Sequence, residues 1–186
     1  VTEVLRHLDK PALLHWATRL GLEGRTLQEE LRDTGAQGTA VHASCAELLT
    51  ASGATAARDP AVREFIRWRE AHQTGDPVLI EQPLISEEHR IGGTPDVVLP
   101  VDGALTLVDL KAGRAVYREH LYQAGAYLRM VQLAGIPAER AMVLLIPRAG
   151  DPYQVYEVTD PETCWRITLL CRELHDLMSR SVGEEI

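Results

Sequence analysis

Apolar positions recur at helical spacing along the first part of the chain. Leu13, Leu14, Ala17 and Leu20 follow Asp9-Lys10-Pro11, where the aspartate offers a cap and the proline suits a first turn, and they predict a helix ending at Gly21. A second helix is predicted from about Gly38 to Leu49. The small residues from Ala51 to Ala57 read as a loop, and Asp59-Pro60 opens a third helix carrying Val62, Phe65, Ile66 and Arg69, which Thr74-Gly75-Asp76-Pro77 ends. The period then shortens. Val78 to Ile85, Arg90 to Leu99 and Ala104 to Leu110 are short apolar or β-branched runs separated by polar turns, and predict three strands. Tyr117 to Leu133 returns to helical spacing and closes at Gly135 and Pro137. Ala141 to Ile146 and Tyr153 to Val158 add two strands before a last helix from about Pro161 to Arg180.

The order ααα-βββ-α-ββ-α predicts an α/β fold with a mixed central sheet of about five strands flanked by helices and preceded by an N-terminal helical segment. Cover on both sides is required because strands such as Leu105 to Leu110 are apolar on both faces. No internal repeat or linker divides the chain. Residues 1–186 are therefore expected to form one domain, with a helical part at 1–75, a sheet and helix at 76–160, and a terminal helix at 161–186.

Composition narrows this further. At 186 residues the chain is long enough to bury roughly 70% of the surface its unfolded form exposes, without a disulfide or metal staple. Cys45, Cys164 and Cys171 form no CxxC pair and read as reduced, buried small hydrophobes. No stretch approaches a membrane span or a signal peptide, so a cytoplasmic setting without a membrane partner is the expectation. The net charge of −8 argues at first against nucleic acid. Its distribution argues otherwise: residues 33–110 carry −7 and residues 151–186 carry −5, whereas residues 111–150 carry +4 and residues 1–32 are neutral.

That basic stretch begins beside a group of carboxylates. Asp102-Gly103 between two apolar runs signals a tight hairpin turn, and a turn centred there pairs residues whose numbers sum to 205, which sets Asp96 opposite Asp109. Two like charges about 5 Å apart destabilise a sheet unless a positive charge lies between them, and a divalent cation is the simplest candidate. Lys111, two residues beyond Asp109, shares its face. Two hard oxygen ligands and an ammonium around one point suit Mg²⁺ or Mn²⁺ and a phosphodiester. The cation would lower the pKa of an attacking water and offset charge growing on the phosphate, while Lys111 would orient or deprotonate that water. Taken singly, each of these residues reads more readily as a turn or surface residue. An unpaired Asp109 in a strand buried on both faces, however, would cost several kcal/mol.

Pro95-Asp96 followed by Asp109-Leu110-Lys111 resembles the signature of the PD-(D/E)xK nuclease superfamily. Gln123-Ala124-Gly125-Ala126-Tyr127 is similar to the QxxxY motif of its RecB-like branch, which includes phage exonucleases, and Gly38-Thr39-Ala40-Val41-His42 to that branch's upstream histidine motif. The resemblance implies a restriction-endonuclease-like core and one or two Mg²⁺ or Mn²⁺ ions held by His42, Asp96, Asp109 and the Leu110 carbonyl. It implies Lys111 as the water-activating residue, with Gln123 and Tyr127 supporting site and substrate, and Glu81 as a second-metal or supporting residue. Arg90, Arg114, Arg118 and Arg129 are the candidate phosphate contacts. With three cysteines the chain should hold no iron-sulfur cluster. Without GxxxxGK[ST] it should bind no nucleotide cofactor.

The leading expectation is thus a DNA exonuclease acting on ends in recombination, repair or phage DNA processing. An endonuclease with the same chemistry and an inactive nucleic-acid-binding or assembly module are the alternatives. A homo-oligomer and a recombination partner protein are left open by the residues.

Overall fold

The computed structural model describes residues 1–8, 22–23, 26–50, 59–147 and 151–180. The helix expected behind Pro11 and the loop at 51–57 lie outside them. A short 3₁₀ turn, Val4–His7, precedes α1 (Leu27–Thr50) and α2 (Pro60–Ala71). The strands are β1 (Leu79–Ile80), β2 (Leu84–Ser86), β3 (Ile91–Gly93), β4 (Val97–Val101), β5 (Ala104–Lys111), β6 (Arg140–Leu145) and β7 (Gln154–Glu157); α3 (Arg118–Leu133) and α4 (Pro161–Met178) complete the fold. Among the described residues no helix is long and apolar enough to cross a membrane.

Five strands form one mixed sheet in the order β1-β4-β5-β6-β7, the architecture expected from the alternating pattern. The β4–β5 turn sets its register. Asp102 and Gly103 both take positive φ, 48° and 84°, the pair a tight right-twisted hairpin needs, and every matched pair from Val97↔Val108 to Val101↔Ala104 sums to 205. β5 then runs parallel to β6, and α3 supplies the crossover that a parallel pair requires.

Two expected strands are each divided. The run from Val78 to Ile85 becomes β1 and β2 because Glu81 turns into the left-handed region (φ 42°) and Pro83 has no N–H to give a ladder. Thr94-Pro95 similarly separates β3 from β4. The small β2–β3 pair forms its own sheet against α3. The second helix begins eleven residues earlier than expected, running through Gly35 and Gly38. Each glycine costs about 1 kcal/mol in a helix interior, but burial of Val41 and Cys45 farther along outweighs local propensity.

Alternation along the strands builds two cores. Val98, Leu107 and Val143 pack toward Ala124, Leu128 and Val131 of α3 and Trp165 of α4. Val97, Leu99, Val108, Leu110 and Leu144 pack toward Val41 and Cys45 of α1 and Phe65 and Trp68 of α2. The helices begin at chemical caps: Asp59 accepts from Ala61 N and Asp160 from Thr163 N. Cys45, Cys164 and Cys171 are free and buried, as expected.

Candidate active site

The polar centre lies where the sheet runs out of apolar residues. Ile80, Val97 and Val108 are matched across β1, β4 and β5, and the next position on each strand is a carboxylate: Glu81, Asp96 and Asp109. Two backbone contacts extend the ladder into this row. Glu81 N donates to Asp96 O at 2.8 Å, and Leu110 N donates to the Asp96 carboxylate Oδ2 at 2.7 Å. Asp96 is thereby fixed at the end of β4, although it lies outside the strand proper.

His42 reaches this row from α1, placing Nδ1 3.3 Å from Asp96 Oδ1. Ligand atoms of His42, Glu81 and Asp96 all lie within 4.8 Å of one another, close enough to share one cation. A ring nitrogen and carboxylate oxygens form a donor set able to hold a divalent cation. Burial draws the His42 imidazolium down, but the hydrogen bond and charge of Asp96, with the charge of Asp109, outweigh burial and the repulsion from Lys111. The imidazole therefore titrates above its ordinary range.

Asp109 behaves differently. It is 2% exposed, and Lys111 Nζ lies 2.5 Å from its Oδ2 as an ion pair. Burial pushes the Asp109 carboxyl up to about 6 against the pull of Lys111, with the charge of Asp96 adding to the rise. For Lys111 burial acts downward, but Asp109 and Asp96 hold the ammonium above its ordinary value. Of the metal set expected from sequence, His42 and Asp96 come together with Glu81, while Asp109 lies beside Lys111.

Gln123 and Tyr127 share one face of α3, as their spacing requires, with Gln123 Nε2 3.2 Å from the Tyr127 hydroxyl. Gly125 between them is set by packing, since a Cβ there would lie 2.4 Å from Cys164 Cβ of α4. Arg114, Arg118 and Arg129 are exposed. Arg90 is exposed as well, with its NH1 3.5 Å from Asp176 Oδ2 and its backbone carbonyl accepting from Arg172 Nε. Sequence reasoning did not single out Thr2, whose hydroxyl lies 2.6 Å from Gln123 Nε2. A contact spanning 121 positions leaves no periodic signal.

Residues 12–186 match the PD-(D/E)XK nuclease superfamily. The chain belongs to that superfamily. Pro95-Asp96 and Asp109-Leu110-Lys111 of its signature are the residues that the β4–β5 hairpin brings to one end of the sheet. No curated protein matches the chain. Among solved structures, the crystal structure of SSO0001 aligns with a TM-score of 0.41 at 15% identity, covering 97% of this chain and 82% of that one. In this superfamily member, the His42, Glu81 and Asp96 cluster is a candidate divalent-metal site consistent with metal-dependent nuclease activity.

Proposed function

We propose that this protein is a Mg²⁺- or Mn²⁺-dependent deoxyribonuclease of the RecB-like, phage-type branch that hydrolyses phosphodiester bonds at DNA ends. The observation that carries this reading is the carboxylate row Glu81, Asp96 and Asp109, flanked by His42 on one side and Lys111 on the other. Such a row is costly in a fold without a cation to share its charge.

In this mechanism His42, Glu81 and Asp96 would hold the ion, and Asp109, one β5 residue from the amide that anchors Asp96, would complete the acidic pocket. The bound cation would supply charge neutralisation at the phosphate and a lowered pKa for the attacking water. Lys111 keeps its proton while Asp109 and Asp96 are charged, so it contributes positive charge to the phosphate oxygens and orients the nucleophile. Gln123 and Tyr127 form the adjoining wall. Exposed Arg114, Arg118 and Arg129 provide contacts to the nucleic-acid backbone.

End-labelled linear DNA and covalently closed circular DNA, each with Mn²⁺ or Mg²⁺, test the proposal. Loss of the linear substrate from its ends with the circle intact is expected. Cleavage of the circle would make the enzyme an endonuclease, and absence of cleavage of either substrate would overturn the reading.

A further inference from the structure

The amide of Gln123 serves two partners. Its Nε2 lies 2.6 Å from Thr2 Oγ1 and 3.2 Å from the Tyr127 hydroxyl oxygen. An amide nitrogen carries two hydrogens, and here one goes to each oxygen. Both hydroxyls therefore act as acceptors toward Gln123 and keep their own hydrogen for another partner.

Thr2 and Tyr127 line one cleft of ≈ 400 Å³, together with Gly92, Gly93 and Thr94. Thr94 is exposed, adds a third hydroxyl, and lies two residues before Asp96. At the floor, Tyr127 meets Gly93 so closely that a Cβ on Gly93 would fall 2.5 Å from the tyrosine Cε1, which is why a glycine stands there. Through Thr94 the cleft lining continues along the chain toward Asp96 of the carboxylate row. Val1 N donates to Gly92 O at 2.6 Å, which ties the segment carrying Thr2 to β3. The carboxylate at the rim, Glu3, is engaged by Arg6 at 2.8 Å.

We propose that this cleft is a phosphate subsite in which Thr2, Thr94 and Tyr127 donate to a diester phosphate neighbouring the one that is cleaved, with Gln123 as the positioning residue. The inference rests on the nuclease reading for its substrate class. Neutral hydroxyl donors suit a phosphodiester, which carries a single charge and accepts through two oxygens. The role of Thr2 is the distinctive part, because it makes the N-terminal turn a component of the substrate cleft.

The test is fluorescence anisotropy in EDTA, with no cleavage, using a fluorescein-labelled oligothymidylate and its methylphosphonate analogue, whose backbone lacks the charge. Thr2→Val is expected to weaken binding of the phosphodiester strand about tenfold, the effect of losing a hydrogen bond to a charged group, while leaving the weaker analogue unaffected. Thr2→Ser should stay within about twofold of the parent, since it keeps the hydroxyl. A Thr2→Val protein that lowers the melting temperature but binds the phosphodiester strand as the parent does would reduce the contact to structural stitching and overturn the proposal. Equal losses for both probes, or no rescue by serine, would do the same. If the binding pattern holds but neither Mn²⁺ nor Mg²⁺ supports cleavage, the subsite stands and the proposed reaction falls.

Discussion

Each end of the β4–β5 hairpin carries a histidine paired with an aspartate. At the turn, His72 Nδ1 lies 3.0 Å from Asp102 Oδ2, and at the opposite end His42 Nδ1 lies 3.3 Å from Asp96 Oδ1. The side chains at the turn are 33% and 47% exposed, against 24% and 17% at the other end. At the turn, Gln73 N occupies the second oxygen of Asp102, and the pair ties the end of α2 to the hairpin. The other pair is joined by Glu81 and faces a buried Asp109 held by Lys111. A histidine-aspartate contact is therefore no mark of chemistry in itself. What distinguishes the two ends is the gathering of further carboxylates, Glu81 and Asp109, around Asp96.

The largest effect expected from this comparison is on cleavage. Asp109→Ala and Lys111→Ala should each lower Mn²⁺-dependent DNA hydrolysis about a thousandfold or more, by analogy with loss of a charge-stabilising group at a reacting centre. Asp102→Asn should cleave as the parent does. Equal activity of all three variants, measured on one labelled substrate, would remove the distinction.

Stability comes next in size. Gly125→Ala forces a Cβ to within 2.4 Å of Cys164 Cβ and 2.9 Å of its Sγ, displacing the helix that carries Gln123 and Tyr127. Overpacking of this kind costs about 1–3 kcal/mol, so the urea midpoint should fall. The contact of His72 with Asp102 should persist in an NMR titration of the variant. A midpoint equal to that of the parent would show that α3 and α4 are more loosely apposed.

The two ends should also respond to pH with opposite sign in the metal-free protein. Asp109 has a raised folded pKa, so its contribution is fully present below its unfolded value of 3.8 and is lost as pH rises through about 6. Asp102 has a lowered folded pKa, chiefly through His72 and Gln73. Its contribution is present above 3.8 and is lost as pH falls through the lower folded value. Melting temperatures in EDTA should accordingly show Asp109→Asn flattening the decline between pH 4 and about 6, and Asp102→Asn flattening the decline on the acid side. Interchanged effects would contradict the assignment. The smallest effect concerns Cys45, one turn beyond His42, whose thiol burial pushes up to about 12. It should react with a maleimide only on unfolding, and rapid native labelling would show that the α1 side of the site is open.

The hairpin and its consequences were legible because they are local. Asp102-Gly103 specifies a turn, the turn specifies the register, and the register aligns Asp96 with Asp109 and Lys111. Gln123 and Tyr127 follow from helical spacing in the same way. Glu81 was visible as a charge interrupting an apolar run, but its place beside His42 depends on pairing of β1 with β4 and on a left-handed backbone that no glycine announces. The early start of α1 was hidden by Gly35 and Gly38, since distant packing overrides their local preference. The 3.5 Å approach of the exposed Arg90 to Asp176 on α4, a contact across 86 positions, likewise leaves no trace in the local pattern.

Calorimetric titration of Mn²⁺ into the parent protein and the variants Asp96→Asn, Glu81→Gln and Asp102→Asn tests the central claim most directly. The account predicts binding by the parent and by Asp102→Asn, and its loss or marked weakening in Asp96→Asn and Glu81→Gln. Undiminished binding in Asp96→Asn, or loss in Asp102→Asn, would contradict it.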